Sequence, residues 1–147
     1  MQSHTLNRST QEVILEHLQK CDHLFVPSLS ETVDLGSYSS KIYDRAQRVE
    51  VWDNEVLIGL IAVYLNQEEG KSFITNVSLM EEYLGMGIAG KMLNRCFDLL
   101  KEQSIESVEL EVKKANHRAI KFYNKYSFIK SRESESSLFL IRNLLSS

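Results

Sequence analysis

One segment of the sequence, residues 56–65, constrains the fold more than any other because it is almost wholly apolar. It is interrupted only by Gly59, and it is far shorter than the roughly 20 residues that cross a bilayer as a helix. A strand with one face in water alternates apolar and polar residues, whereas a strand buried on both faces is apolar throughout. The segment therefore predicts a central strand in a sheet that helices cover on both sides.

The rest of the pattern predicts a mixed α/β domain. Two helices are expected within residues 10–43, and strands at residues 47–52 and 72–79 flank the apolar segment on either side in a meander. The apolar spacing then becomes helical over about residues 87–101 and returns to strand alternation at residues 107–112, which favours a parallel pair of strands. A last helix, strands at residues 128–130 and 137–141, and a polar turn between them complete a single domain over residues 1–147.

Charge and cysteine content exclude several classes of protein. The chain has 17 basic and 20 acidic residues, a net charge of −3, and no run of Lys or Arg that would indicate nucleic-acid binding. Cys21 and Cys96 form no CxxC pair, and the histidines show no metal-ligand spacing, so neither a disulfide nor a metal site is expected. No secretory leader is apparent. We therefore expect a cytoplasmic protein with no nucleic-acid or membrane partner.

A glycine-rich segment, Gly85-Met86-Gly87-Ile88-Ala89-Gly90, follows a predicted strand and opens a predicted helix. Its GxGxxG spacing is that of dinucleotide-binding loops, so a nicotinamide-dependent oxidoreductase is one hypothesis, with Glu109 or Glu111 facing the ribose. Whether or not the fold is of the dinucleotide-binding type, free main-chain N–H groups and a helix dipole at this segment favour the binding of a phosphate or pyrophosphate. The structural alternative is that the glycines only let the helix pack closely on the sheet.

Residues 79–93, with the glycine-rich segment, and residues 110–128, with the run Ala119-Ile120-Lys121-Phe122-Tyr123, stand in an order and at a separation that resemble the GCN5-related N-acetyltransferases (GNAT). Residues 79–93 are similar to the family's acetyl-CoA pyrophosphate loop, in which an Arg or Gln and two further residues precede Gly, any residue, and Gly or Ala. Gly87 and Ala89 fit this pattern, and Leu84 stands where the Arg or Gln is usual. Residues 110–128 look like the family's strand, its Asn, its A-I-x-x-Y helix and its G-F ending, with Ser127 in place of the Gly. Both motifs stand in the family's order within residues 48–133.

The resemblance implies a mostly antiparallel sheet that splays open to hold acetyl-CoA as cosubstrate, without a metal. The pyrophosphate would rest on the main-chain N–H groups of the glycine-rich segment. The pantetheine arm would pair with the backbone of two strand residues and would be bonded by an asparagine from the far side. Leu84 removes a charge-assisted contact to phosphate unless Lys91 supplies it. The cofactor-binding residues implied in this way are Val77, Leu79, Gly85, Met86, Gly87, Ile88, Ala89, Gly90 and Asn116.

Acetyl transfer to an amine requires a base that removes a proton and an acid that protonates the departing thiolate. Glu111 and Tyr123 are the candidates, because their spacing resembles that of the ribosomal-protein alanine acetyltransferase branch, in which they are base and acid. A tyrosine of ordinary pKa, about 10, is protonated at neutral pH. Simpler roles stay open: Tyr123 lies on a packing stripe with Phe122 and Tyr126, Glu111 is a solvated strand residue, and Asn116 caps a helix.

We therefore expect an acyltransferase that moves an acetyl group directly from acetyl-CoA to the primary amine of a small molecule, such as an amino sugar. The resemblance implies that the acceptor lies against residues 25–43 and 131–140. The first of these segments offers aromatic faces and hydroxyls but no cluster of acids or bases. Two alternatives stay open: an acetyltransferase for protein N-termini or lysines, and an acetyl-CoA-binding sensor without transfer activity. The protein is expected to be a monomer or a homodimer.

Overall fold

The computed structural model describes residues 1–145, and residues 146 and 147 of the predicted domain lie outside the described part. The strands and helices alternate much as the sequence predicts, which confirms the mixed α/β class. The strands are β1 (Gln2–Leu6), β2 (Gln47–Asp53), β3 (Val56–Asn66), β4 (Lys71–Leu79), β5 (Ser107–Lys113), β6 (Ile129–Glu133) and β7 (Ser137–Asn143). The α-helices are α1 (Gln11–Cys21), α2 (Leu35–Arg45), α3 (Ile88–Glu102) and α4 (His117–Lys125).

All the described strands belong to one sheet, in the order β1-β2-β3-β4-β5-β7-β6. Neighbouring strands are antiparallel with one exception, because β4 and β5 are parallel. This confirms the strand–helix–strand prediction, in which α3 carries the chain from β4 across to β5. A dinucleotide-binding fold of the nicotinamide type needs a mostly parallel sheet, so the oxidoreductase hypothesis is wrong.

Helices cover the sheet on two sides, as the apolar pattern of β3 predicts. Ile61 and Val63 point into a core shared with α3 and α4, whereas Leu60 and Ala62 point into a second core with α1 and α2. All four of these side chains are fully buried. The strand is thus apolar throughout because both of its faces lie inside the protein.

Two expectations about secondary structure are wrong. The sequence pattern misses β1, which pairs with the outer edge of β2 and consists mainly of polar residues, as an edge strand tolerates. The polar segment that begins at Ser131 is not all turn, because β6 continues to Glu133. The turn itself is only residues 134–136, and it joins the two strands of an antiparallel hairpin.

A buried carboxylate fixes the junction between β1 and α1. Glu50 on β2 is fully buried, and its oxygens accept hydrogen bonds from Thr5 Oγ1 at 2.7 Å, Arg8 N at 2.8 Å and Ser9 N at 2.9 Å. The Ser9 hydroxyl bonds to the same carboxylate. Arg48, also buried, lies 3.4 Å from it through Nε, so the charge is paired inside the protein.

Candidate active site

The sheet opens between its two parallel strands. β4 and β5 pair only over Lys71–Ile74 and Ser107–Leu110, and beyond these residues each strand continues without a partner on that side, β4 to Leu79 and β5 to Lys113. We call the opening between residues 75–79 and 111–113 the wedge. Since strand backbones form obligatory hydrogen bonds, the wedge leaves donors and acceptors on both sides that an extended ligand is able to pair with.

The backbone groups that face the wedge follow from the pairing of β4 with β3. Met80 N donates to Ile58 O at 2.8 Å, so alternate residues of β4 point their N–H and C=O groups toward β3. The intervening residues, Val77 and Leu79, therefore point theirs in the opposite direction, toward β5. These are the two residues for which the family resemblance implies pairing with pantetheine.

The glycine-rich segment lies between β4 and α3. Gly85 and Gly87 have φ of +80° and +78°, a left-handed backbone that favours glycine, and a side chain at either position would extend into open space. The first helical hydrogen bond of α3 runs from Lys91 N to Gly87 O at 3.3 Å. Among the described residues the N–H groups of residues 85–90 have no acceptor, so this helix start is able to bind an anion.

Gly90 has a different role from the other two glycines. A Cβ at this position would lie 1.9 Å from Tyr126 Oη, because the end of α4 packs directly on the first turn of α3. Gly90 thus serves close packing, but against the end of α4 and not against the sheet, which was the alternative that the sequence left open. Gly85 and Gly87 instead provide the left-handed backbone conformations that the loop before α3 requires.

Apolar side chains border the glycine-rich segment. Leu84 and Met86 are 37% and 61% exposed, and neither contributes a charge to the helix start. The preceding turn, Glu81–Tyr83, is fixed by a hydrogen bond from Tyr83 Oη to Asp53 Oδ2 at 2.6 Å. The two residues of this bond are 30 positions apart in the chain and Asp53 belongs to no motif, so the sequence offered no signal for it.

Glu111 lies at the opening of the wedge, one residue beyond Leu110, the last residue of β5 that pairs with β4. Its side chain points to the face of the sheet opposite Leu110 and Val112, which are buried in the core with α3. The carboxylate is 41% exposed and lies 3.7 Å from Lys113 Nζ. The solvated position that the sequence suggested for Glu111 is correct.

Tyr123 approaches from the other face of the sheet. Its ring packs edge-on against Phe122 and Phe128, with centroids 5.3 and 5.6 Å apart respectively. Desolvation in this aromatic surrounding raises the pKa of the Tyr123 phenol above its ordinary value, so the hydroxyl stays protonated at neutral pH. Within the described part of the chain the hydroxyl has no hydrogen-bond partner, and it shares none with Glu111.

Two further motif residues have roles in the local backbone. Asn116 is the N-cap of α4, and its Oδ1 accepts from Ala119 N at 3.2 Å, so the capping interpretation is correct. Ser127, where the family has glycine, adopts a φ of +69°. The left-handed conformation explains why glycine is usual at that position.

The comparison with known proteins agrees with these features. The chain matches the acetyltransferase (GNAT) family over residues 13–128, and it belongs to that family. N-alpha-acetyltransferase 30 of Schizosaccharomyces pombe is 28% identical over 79 residues, which cover 52% of this chain and 53% of that protein. N-alpha-acetyltransferase 50 of Danio rerio is 25% identical over 108 residues, 68% of this chain and 64% of that protein. The chain thus matches about half to two thirds of the length of these relatives.

Solved structures share the fold across nearly the whole chain. The ribosomal-protein-S18-alanine N-acetyltransferase of Escherichia coli superimposes with a TM-score of 0.80 at 14% identity, over 98% of this chain and 94% of that one. The PaiA N-acetyltransferase of Thermoplasma acidophilum, solved in complex with coenzyme A, has a TM-score of 0.79 at 16% identity, over 96% and 99% of the chains. In residues 1–145, no helix is both long and apolar enough to cross a membrane.

Proposed function

We propose that this protein binds acetyl-CoA in the wedge and transfers its acetyl group to a primary amine. The observation that carries the proposal is the wedge itself, which places the unpaired backbone of Val77 and Leu79 next to a helix start whose N–H groups are free. An extended pantetheine arm and a diphosphate need these two kinds of partner in this order. Membership in the GNAT family supports the same ligand.

The two proton transfers, from the acceptor ammonium and to the departing thiolate, are assigned to residues on opposite faces of the sheet. Glu111 is the proposed general base, because its exposed carboxylate is able to take a proton from the acceptor ammonium directly or through water. Tyr123 is the proposed general acid, because its raised pKa keeps a proton available for the departing thiolate. Main-chain N–H groups of Val77 and Leu79 supply preorganised donors for the thioester carbonyl. In this proposal Asn116 orients α4 as a cap and bonds the pantetheine arm with its remaining amide group.

The acceptor belongs to one of two classes. The names of the curated relatives and of the Escherichia coli structure favour the α-amino group of a protein chain. A small amine such as an amino sugar is the competing class, based on the sequence of residues 25–43. Both classes present a primary amine that must lose a proton, so both are compatible with Glu111 as base.

Thiol release from acetyl-CoA, measured with a panel of acceptors, tests the proposed function. Short peptides with free α-amino groups, the same peptides with blocked N-termini and a free lysine, and a set of amino sugars distinguish the acceptor classes. Acetyl transfer to any member of the panel supports the proposed acetyltransferase activity. Tight acetyl-CoA binding without thiol release for all members favours the sensor, and absence of acetyl-CoA binding contradicts the proposal.

Leu84→Arg is expected to tighten CoA binding by about tenfold, since a charge-assisted hydrogen bond to phosphate contributes about 1.5–3 kcal/mol. The gain should shrink as salt is raised, because the new side chain is exposed. Calorimetric titration of CoA at two salt concentrations measures both effects. Leu84→Gln is the matched control, with a smaller gain that salt leaves nearly unchanged. If Leu84→Arg and the wild type bind CoA with equal affinity, the diphosphate does not lie beside residue 84.

A further inference from the structure

A line of buried polar side chains runs along the outer face of β4, opposite the face that packs on α3. His17 of α1 bonds through Nδ1 to Leu57 O at 2.9 Å and through Nε2 to Ser78 Oγ at 2.8 Å. Ser78 Oγ also lies 2.7 Å from the carboxamide of Asn76. The exposed fractions of His17, Ser78 and Asn76 are 2%, 6% and 3%. These three side chains are called the β4 network below.

The proton positions in the β4 network follow from the number of donors. The Leu57 carbonyl accepts only, so His17 carries its proton on Nδ1, and in the neutral imidazole Nε2 is an acceptor. Ser78 Oγ, 2.8 Å away, is the close donor to Nε2, and the Cys21 thiol, 3.7 Å from the same nitrogen, is a second and weaker one. With its oxygen toward Ser78, the Asn76 carboxamide would leave Nδ2 buried and without a partner among the described residues. Rotation of the carboxamide by half a turn lets its NH₂ group donate to Ser78 Oγ, and the buried group without a partner is then Oδ1 instead of Nδ2.

Ser78 stands between the two residues whose backbone faces the wedge. At this point β4 is paired with β3 alone, because its ladder with β5 has ended at Ile74. A bulge at Thr75 precedes the segment, where Ala62 pairs with Asn76 and Val63 with Ile74. The strand end therefore depends on side-chain contacts for its orientation more than a fully paired strand does.

We propose that the β4 network is a positioning device for the cosubstrate. His17, through Ser78, holds the end of β4 that has no partner on the β5 side, so that the N–H and C=O groups of Val77 and Leu79 face the pantetheine arm. Asn76 completes the network from the side of the bulge. This role rests on the proposed function, since it concerns the same wedge. None of the three side chains touches the reacting atoms, and they act only through the backbone of β4.

A matched pair of variants separates the two contacts of His17. His17→Asn retains an amide near the position of Nδ1 and loses the contact with Ser78, whereas His17→Gln retains an amide near the position of Nε2 and loses the contact with Leu57. Each variant loses one buried hydrogen bond, so the effect on folding is similar. Ser78→Ala, with Ser78→Thr as the rescue that restores a hydroxyl, tests the same contact from the strand.

Titration with two probes isolates the pantetheine arm. CoA contacts both the wedge and the helix start, whereas 3′-phospho-ADP, its nucleotide part, contacts only the helix start. We expect His17→Asn and Ser78→Ala to weaken CoA binding by about fivefold relative to His17→Gln and Ser78→Thr, as one lost hydrogen bond predicts. Binding of 3′-phospho-ADP should stay within about twofold in all four variants.

The results of these titrations distinguish failure of the positioning role from failure of the proposed function. The positioning role would be overturned, and the proposed function left intact, if the variants lost affinity equally for CoA and for 3′-phospho-ADP. The same holds if His17→Asn and Ser78→Ala remain folded and lose no affinity for CoA. Failure of the wild-type protein to bind CoA would overturn the proposed function and the positioning role with it. If His17→Asn does not fold, the comparison of Ser78→Ala with Ser78→Thr decides the question alone.

Discussion

Tyr123→Phe is expected to lower kcat by about 10²-fold or more while the KM for acetyl-CoA changes little, because general acid catalysis contributes typically 10²–10⁴-fold. The phenylalanine ring retains the packing against Phe122 and Phe128, so the fold should be preserved. Only the hydroxyl, which no described residue engages, is removed. Steady-state kinetics with saturating acceptor measure the effect.

The pH profile provides a second test of Tyr123. Since desolvation raises the pKa of its phenol, the acid should stay protonated through and beyond the ordinary tyrosine range, and wild-type kcat should not decline with a pKa below about 10. The thermal midpoint and the CoA affinity of Tyr123→Phe serve as controls for folding. Unchanged kcat in a folded variant that binds CoA would remove Tyr123 from the mechanism.

Glu50→Ala is expected to reduce the free energy of unfolding by about 3–5 kcal/mol, which is the usual cost of breaking a buried ion pair from one side. The variant leaves the Arg48 guanidinium buried without its carboxylate and removes the acceptor for Thr5, Arg8 and Ser9. The midpoint of thermal unfolding should fall by about 10 °C. Urea denaturation followed by circular dichroism measures the difference.

Glu68→Ala, at an exposed carboxylate, is the matched control and should change stability by less than about 0.5 kcal/mol. The double variant Arg48→Met/Glu50→Leu should be more stable than Glu50→Ala, since no unpaired charge remains. A loss in Glu50→Ala no larger than that in Glu68→Ala would show that the carboxylate does not anchor β1 and α1.

The lowered pKa of the Glu50 carboxyl group also determines how the free energy of unfolding changes at low pH. Burial alone would raise its pKa, but hydrogen bonds from Ser9, Arg8 and Thr5 outweigh burial and hold the pKa below the usual value. A lowered pKa means that this contribution is complete at neutral pH and is lost as pH falls below about 4.3, the ordinary value for glutamate. Glu50→Ala should therefore flatten the acid limb of the stability profile.

Periodicity in the sequence predicted most of the fold because most elements bury one face. β3 was identified from its unbroken apolar run, and the β4-α3-β5 unit from the change of period at residue 88. β1 lacked such a pattern, since an edge strand of polar residues resembles a loop. The hairpin of β6 and β7 was located, but the polar residues from Ser131 to Glu133 hid the true end of β6.

Much of the candidate site could be predicted only through linked motifs. The glycine-rich segment and the spacing of Glu111 and Tyr123 pointed to the wedge, but no local rule separates the packing role of Gly90 from the backbone roles of Gly85 and Gly87. That difference depends on Tyr126, which is distant in sequence. The β4 network was missed for the same reason, because His17 and Ser78 meet only after α1 docks on β4.

A crystal structure of the protein with CoA would show whether the ligand occupies the wedge. We expect the pantetheine arm between residues 75–79 of β4 and residues 111–113 of β5, hydrogen-bonded to the backbone of Val77 and Leu79. The diphosphate should lie on the N–H groups of residues 85–90 at the start of α3. CoA bound elsewhere on the protein, or β4 and β5 paired along their whole length with CoA present, would contradict this expectation.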